Sequence, residues 1–397
     1  MEKLQPKLRF PEFEGNWEIA KIGDYIELLS GIALKGEEIS DDPTGTPILR
    51  GINITEGYIR HSIEIDKYYL GNTNRIDNFF VKENDLVLGM DGSKVGKNVA
   101  LITKKDENSI LIQRVARIRA TPKSKIKYIY HNIFSKRFHD YVDVVNTSSG
   151  IPHISTQQIK EFTIGFPTLP EQTKIASILT TVDEKISGLK KQLTLLERYK
   201  KGVMQKVFSQ DLRFKDENGN DFPDWEEKKI KDIFKVTRGI VLSMSMLKNK
   251  QENNFIYPVF SSQTKNNGLA GFYSEFLFEN AITWTTDGAG AGDVNYRDGK
   301  FYCTNVCGVL LNNEGYCNLF IAEILNSVTR KYVSYVGNPK LMNNVMSEIS
   351  IIIPSSIKEQ QKIASFLSSI DEKIEKCQCQ IKAMKNWKKG LLQQMFI

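Results

Sequence analysis

Two stretches of the chain carry apolar residues in steps that alternate between four and three. The first runs through Ile175, Leu179, Val182, Ile186, Leu189, Leu193 and Leu196, the second through Ile363, Leu367, Ile370, Ile374, Cys377, Ile381 and Met384. This is the heptad seam of a helix that buries one stripe against a partner. Each seam then meets a lysine, Lys200 or Lys388, and resumes at Val203 and Val207 or at Leu391 and Met395. A helix of about 38 residues is roughly 55–60 Å long at 1.5 Å per residue. Pro170 opens the first helix, where a missing N–H costs little.

Elsewhere the period shortens. Segment 15–168 carries β-rich runs bounded by turn residues at 47–54, 85–90, 99–104, 113–120 and 162–167, and a helical pattern at 127–142. Segment 225–354 follows the same plan, with strand-like runs at 256–262, 275–286, 301–311 and 349–354 and a helical pattern near 318–333.

The two helical stretches are copies of one another. Residues 171–208 and 359–396 align without a gap and share 17 of 38 residues. A second repeat pairs 7–28 with 211–236, through Leu-Arg-Phe and a later tryptophan. A duplicated unit sets the whole fold. The expected class is α+β: two tandem α/β domains separated by two long antiparallel coiled-coil helices, with a pseudo-two-fold internal repeat. The expected divisions are 1–168, 169–209, 210–356 and 357–397. Each helix finds its cheapest partner in the other copy, and two-fold symmetry makes them antiparallel.

The chain has 397 residues, 54 Lys and Arg against 47 Asp and Glu, a net charge of +7 and a pI near 8.9. That balance favours a polyanionic partner. No apolar run approaches the roughly 18 residues of a membrane helix, and the first residues carry charges where a signal peptide is apolar. The expected location is cytoplasmic. The five cysteines, at 303, 307, 317, 377 and 379, form no CxxC pair, and all four histidines lie in the other half of the chain. This suits buried thiols better than a disulfide framework or zinc. No metal site is expected.

Residues 86–101 come close to a phosphate-binding loop. However, three residues rather than four separate Gly92 from Gly96, Asn98 follows Lys97 where Ser or Thr would hold magnesium, and a strand follows instead of a helix. The second half keeps the Asp-Gly-x-x-x-Gly skeleton at Asp287, Gly288 and Gly292 without the lysine. The shared feature is strand, glycine turn, strand. There is no GxSxG, no HExxH and no Asn-Pro-Pro-aromatic run; 337–340 lacks the second proline and the aromatic. The chain reads as a recogniser rather than a catalyst, with no catalytic residue and no cofactor of its own.

The stretches "LPEQTKIASILTTVDEKI" and "IKEQQKIASFLSSIDEKI" close the two globular segments, and "LRFPEFEGNWEIAKIGD" and "FPDWEEKKIKDIF" open them. Together they resemble the specificity subunit of type I restriction–modification enzymes across essentially the whole chain. "YPVFSSQTKNNGLAGFY" and the Asp-Gly turns add to the likeness. The resemblance implies two target-recognition domains on a helical spacer, each reading half of a split, asymmetric sequence in double-stranded DNA. It implies two modification subunits that methylate adenine N6 with S-adenosylmethionine, and restriction subunits that use ATP and magnesium, these cofactors belonging to the partners.

Candidate DNA-contacting residues are polar groups at the turns. In the first domain they are Arg50, Asn53, Asn74, Arg75, Ser93, Lys94, Lys97, Gln113, Ser148, Ser149 and His153. In the second they are Ser261, Ser262, Gln263, Lys265, Asn266, Thr286, Arg297, Asn305, Lys340 and Asn343. Gln113 aligns with Asn305 by its place beyond the Asp-Gly turn. Asn, Gln and Arg can bond two atoms of an adenine or guanine edge. His61, His131 and His139 are assigned to the surface or to packing. Two other classes fit parts of the pattern: a coiled-coil scaffold without a DNA role, and a nucleotide-binding enzyme.

Overall fold

A computed structural model describes residues 5–74, 76–146, 150–263 and 265–397. The chain divides into two compact units, Met1–Lys190 with Cys379–Ile397, and Lys191–Gln378. Each unit holds one globular lobe and a part of both long helices.

In the first unit the strands are β1 (Glu18–Lys21), β2 (Ile26–Ser30), β3 (Ile39–Ser40), β4 (Thr46–Leu49), β5 (Lys67–Tyr69), β6 (Leu86–Gly89), β7 (Val99–Leu101), β8 (Ile110–Leu111), β9 (Val115–Ala120) and β10 (Thr163–Phe166). They form sheets of order β2-β9-β6-β7 and β3-β5-β4-β8, and a pair β1-β10 that joins the first strand of the lobe to its last. The helical pattern at 127–142 is two helices, α1 (Ile126–Ile133) and α2 (Lys136–Val145). Between them Ser135 turns extended and accepts a hydrogen bond from the Phe138 amide, which caps α2. A short helix α3 (Thr156–Glu161) precedes β10, and α4 (Leu169–Phe208) leaves the lobe.

The second unit repeats this plan. It contains β11 (Trp225–Lys229), α5 (Ile230–Ile233), β12 (Lys235–Arg238), β13 (Tyr257–Phe260), β14 (Leu269–Tyr273), β15 (Phe278–Thr285), β16 (Val294–Cys303), β17 (Cys307–Leu311), α6 (Leu319–Val328), α7 (Asn343–Glu348), β18 (Ser350–Pro354) and the first part of α8 (Ile357–Met395). The pair β11-β18 closes the lobe, and the main sheet runs β12-β17-β15-β16-β13-β14. The ten-residue strand β16 does the work of two strands of the first lobe. Its start pairs with β15 as β7 pairs with β6, and its end runs parallel to β13 as β8 runs parallel to β4. The expected strand at 301–311 is therefore the end of β16, a turn and β17.

The seam packs within each unit. In the first, Ile175, Leu179, Val182 and Ile186 of α4 share a core with Leu391 and Met395 of α8 and with Trp17, Tyr128 and Phe138 of the lobe. In the second, Val203 and Val207 of α4 share a core with Ile363 and Leu367 of α8 and with Trp284 and Phe320. Leu189, Ile370, Cys377 and Ile381 are also buried, whereas Leu193, Leu196, Ile374 and Met384 are half-buried. The two seam lysines are neutralised by the same repeated aspartate. Lys388 lies 2.6 Å from Asp183 and over the Phe134 ring, and Lys200 donates to Asp371 at 2.9 Å and Glu323 at 2.8 Å. A cation can sit in an apolar seam because a carboxylate and an aromatic face replace its water.

Each long helix starts on a buried acid and amide. Glu171 is 1% exposed, and Arg9 donates to both its carboxylate oxygens at 2.8 Å. Glu359 is fully buried, and Arg213 donates to its two oxygens at 2.9 and 3.1 Å. The negative charge sits in the first helical turn, where the backbone dipole favours it. The Gln172 amide donates to the Pro167 carbonyl at 2.9 Å, and Gln360 donates to Pro354 at 2.8 Å. Trp17 Nε1 also donates to Glu171, at 3.3 Å, while the Trp225 ring lies beneath Arg213. Glu171→Ala or Glu359→Ala leaves an arginine facing a desolvated gap and should lower stability by about 3 kcal/mol. Denaturant unfolding of the full chain checks this, and a loss below about 0.5 kcal/mol, the level of a surface substitution, would contradict it.

Candidate nucleic-acid interface

Both lobes build the same corner from three backbone segments. In the first lobe the Asp-Gly turn leaves β6. Gly92 donates from its amide to the Pro152 carbonyl at 3.0 Å, Met90 donates to Arg114 at 2.9 Å, and Ile154 donates to Met90 at 2.8 Å. In the second, Gly288 donates to Pro339 at 2.9 Å, Thr286 to Val306 at 3.0 Å, and Leu341 to Thr286 at 2.9 Å. Asp91 bridges His153, as Asp287 bridges Lys340. Backbone bonding thus frames the corner identically, and the side chains standing on it differ.

The glycines are required by the backbone. Gly92, Gly96, Gly288 and Gly292 have φ of 87°, 73°, 89° and 86°. The turn feeds β7 or β16, so the stretch that approaches a phosphate-binding loop is a strand, a turn and an antiparallel strand. Gln113 and Asn305 occupy one position: each is two residues ahead of the strand, β9 or β17, that pairs with the one feeding the Asp-Gly turn. The segment from the turn to this position is longer in the first lobe, which inserts the loop between β7 and β8.

Several expected contact residues stand on these corners. Ser93, Lys94, Gln113 and His153 are exposed, and Lys97 is half-buried. Lys94 pairs with Glu56 at 3.0 Å. In the second lobe Lys340 is exposed and 3.8 Å from Asp287, and Asn305 is half-buried. A second group lies on the loops that join β4 to β5 and β13 to β14. On the second of these, Lys265 and Asn266 are exposed, Ser262 is half-buried, the exposed Gln263 donates back to the Leu269 carbonyl, and Ser261 accepts from Thr304 at 3.0 Å. Asn74 is exposed in a turn, its amide held by Asn72. Arg75, Ser148 and Ser149 lie outside the described residues.

Other expected contacts turn inward. Asn53 is 1% exposed, accepts from the Arg50 amide and donates to Arg60 and Asp66. Thr286 is 2% exposed and donates to the Val306 carbonyl and to Asp287. Arg297 is 9% exposed and donates to Thr283 and to the Asn267 carbonyl. Arg50 fastens the Ile65 carbonyl, and Asn343 donates to Thr237. All five satisfy groups that buried backbone or strand ends would otherwise leave unpaired. In the structure they serve the framework of their lobes: Asn53, Thr286 and Arg297 are buried, and Arg50 and Asn343 half-buried.

Two arginines that sequence reading passed over belong to the corners. Arg114 has φ of 68° and pairs with Asp91 at 2.9 Å, and Arg238 donates to the Asn305 carbonyl at 3.1 Å. Neither has a local sequence signal, because both corners are assembled from distant segments. Of the histidines, His61 bridges Asp66 and Asp106, His139 packs on Phe134, and burial lowers the His131 pKa to about 3. All five cysteines are free thiols.

The repeated lobe and helix match a known family. The model of the type I restriction modification DNA specificity domain matches residues 14–198 and again 223–383. The chain belongs to this family. A Mycoplasma pneumoniae protein designated type I specificity subunit S.MpnORF365P is 34% identical over 236 residues, 57% of this chain and 82% of that one. The specificity subunit of the MpnII type I restriction enzyme, from the same organism, is 34% identical over 42% of this chain and 52% of its own. The solved S subunit of a type I restriction–modification system from M. genitalium has the same fold, with a TM-score of 0.68, 20% identity and 99% of both chains covered. Within this specificity-domain family the lobe therefore corresponds to the segment that each match begins with, and the long helix to the one it ends with.

The glycine geometry yields a test. Nothing lies within 4 Å of a Cβ built on Gly92, whereas one on Gly96 meets Val142 at 2.7 Å. Gly92→Ala should cost about 1–2 kcal/mol from backbone strain alone, and Gly96→Ala more, in denaturant unfolding. Equal or negligible losses would contradict this account of the corner.

Proposed function

We propose that this chain is the DNA sequence-specificity subunit of a type I restriction–modification complex. Each lobe reads one half of a bipartite, asymmetric site in double-stranded DNA. The long helices set the unread gap and dock two modification subunits. The observation that carries the reading is the corner built twice, with one backbone scheme and two different sets of polar side chains. A reader of two unlike half-sites needs one rigid frame and two vocabularies.

On this reading, lysines at the rims meet phosphates and fix register, while Gln113 and Asn305 are placed to address base edges. Half-sites read from one face of the duplex lie about one helical turn apart, roughly 34–36 Å. Helices of 40 and 39 residues are long enough to span that distance. The start of α4 packs with the end of α8 in one unit, and the end of α4 with the start of α8 in the other, as an antiparallel spacer requires.

Each long helix also lines a groove with the same three repeated positions, and to these faces we assign the docking of the modification subunits. One is bounded by Lys201, Met204, Gln205 and Glu323, the other by Lys389, Leu392, Gln393 and Asp140. The first three residues of each set correspond through the helical repeat. Two copies of one partner suit a helix face that the chain repeats. Methyl transfer to adenine, with extrusion of the base from the stack, falls to the modification subunits and their S-adenosylmethionine. ATP and magnesium belong to any restriction subunits. The chain itself contributes recognition, in the cytoplasm.

A genome-wide map of N6-methyladenine, with the gene intact and disrupted beside its modification partner, tests this. The expected result is a gene-dependent motif in two short parts separated by a fixed gap. An unchanged map, with the partner expressed and assembled on this chain, would point to a scaffold instead.

A further inference from the structure

The loop between β13 and β14, residues 261–268, holds only polar residues and glycine. Asn266 and Asn267 both take left-handed backbone angles, with φ of 51°, and Gly268 follows at 84°. Successive non-glycine residues in this region persist only where surrounding contacts over-determine them. The side chain that reaches this left-handed pair is Arg297. This side chain lies beneath the loop on β16, with its guanidinium 3.6 Å from the centroid of Phe260, the last residue of β13. Its Nη2 donates to the Asn267 carbonyl at 2.7 Å, and its Nε donates to Thr283 at 3.0 Å. It is a buried cation that no carboxylate neutralises among the described residues. An aromatic face, a hydroxyl and a backbone carbonyl hold it instead.

The first lobe fastens its equivalent loop at the same place. Arg50 donates to the carbonyl of Ile65, two residues before β5, just as Asn267 lies two residues before β14. Arg50 follows β4 whereas Arg297 lies on β16, yet they grip the same carbonyl position. In the second lobe the held carbonyl directly follows Lys265 and Asn266, both of which are exposed.

We propose that Arg297 is a positioning residue for sequence choice: by holding the Asn267 carbonyl it fixes Lys265 and Asn266 beside it as a reading element of the second half-site, without itself contacting a base. This deepens the DNA-reading proposal and rests on it. Arginine is needed because its planar fork serves the carbonyl, the hydroxyl and the ring at once, which a lysine ammonium cannot.

The test is the methylation map of the assembled complex carrying Arg297→Lys, Arg297→Gln or Phe260→Leu, the last of which removes the stacking ring and leaves the arginine. The wild-type map comes first: without a bipartite motif there, the DNA-reading proposal fails, and this inference with it. Given that motif, all three variants should methylate sites mismatched in one half about tenfold more than wild type does, the discrimination of a single base-edge contact. Stringency in the other half should be unchanged. A purely structural defect would instead lower methylation evenly and leave the motif intact, and that result overturns the proposal. So does relaxation of both halves together. If the Arg297 variants fail to assemble, Phe260→Leu decides by the same criterion.

Discussion

The structure depends on a buried carboxylate at the start of each long helix. Glu171 and Glu359 lie in the first helical turn, where the dipole favours them, and each is gripped through both oxygens by an arginine from the opening of its own lobe. These partners are 162 and 146 residues apart in sequence. The clasp therefore ties the beginning of a lobe to the point where the chain leaves it. The strand pairs β1-β10 and β11-β18 do the same with backbone bonds. A lobe closed at its base in this way can change its far side without loosening its hold on the helix.

The two lobes show what that freedom permits. Their sheets follow one plan, yet the first splits into β7 and β8 what the second runs as a single strand, β16. The loop from β4 to β5 is far longer than the loop from β13 to β14. The corners stay the same because they are backbone bonded to backbone, which leaves the side chains standing on them free to differ. Membership of the type I specificity family fits this division between a repeated frame and divergent surfaces.

Much of the architecture was legible in the sequence because it is written twice. The heptad steps and the copied segments at 171–208 and 359–396 announced two long helices, and the repeated Asp-Gly-x-x-x-Gly announced turns with positive φ. The break between α1 and α2 was missed because the apolar period continues across Ser135, which acts as a cap there. The candidate surface was less legible. Asn53, Thr286 and Arg297 are residue types that suit base contacts, but they also satisfy buried carbonyls and amides, and only tertiary placement separates the two uses. Arg114 was passed over because its partner, Asp91, lies 23 residues away.

The central claim is that each lobe reads its own half of one DNA site from an equivalent corner. The most direct measurement compares methylation motifs of complexes carrying Gln113→Ala with those carrying Asn305→Ala. The account predicts that each variant relaxes a position in one half only, and that the two halves differ. Changes that fall in the same half, or motifs that stay intact in both folded complexes, would contradict it.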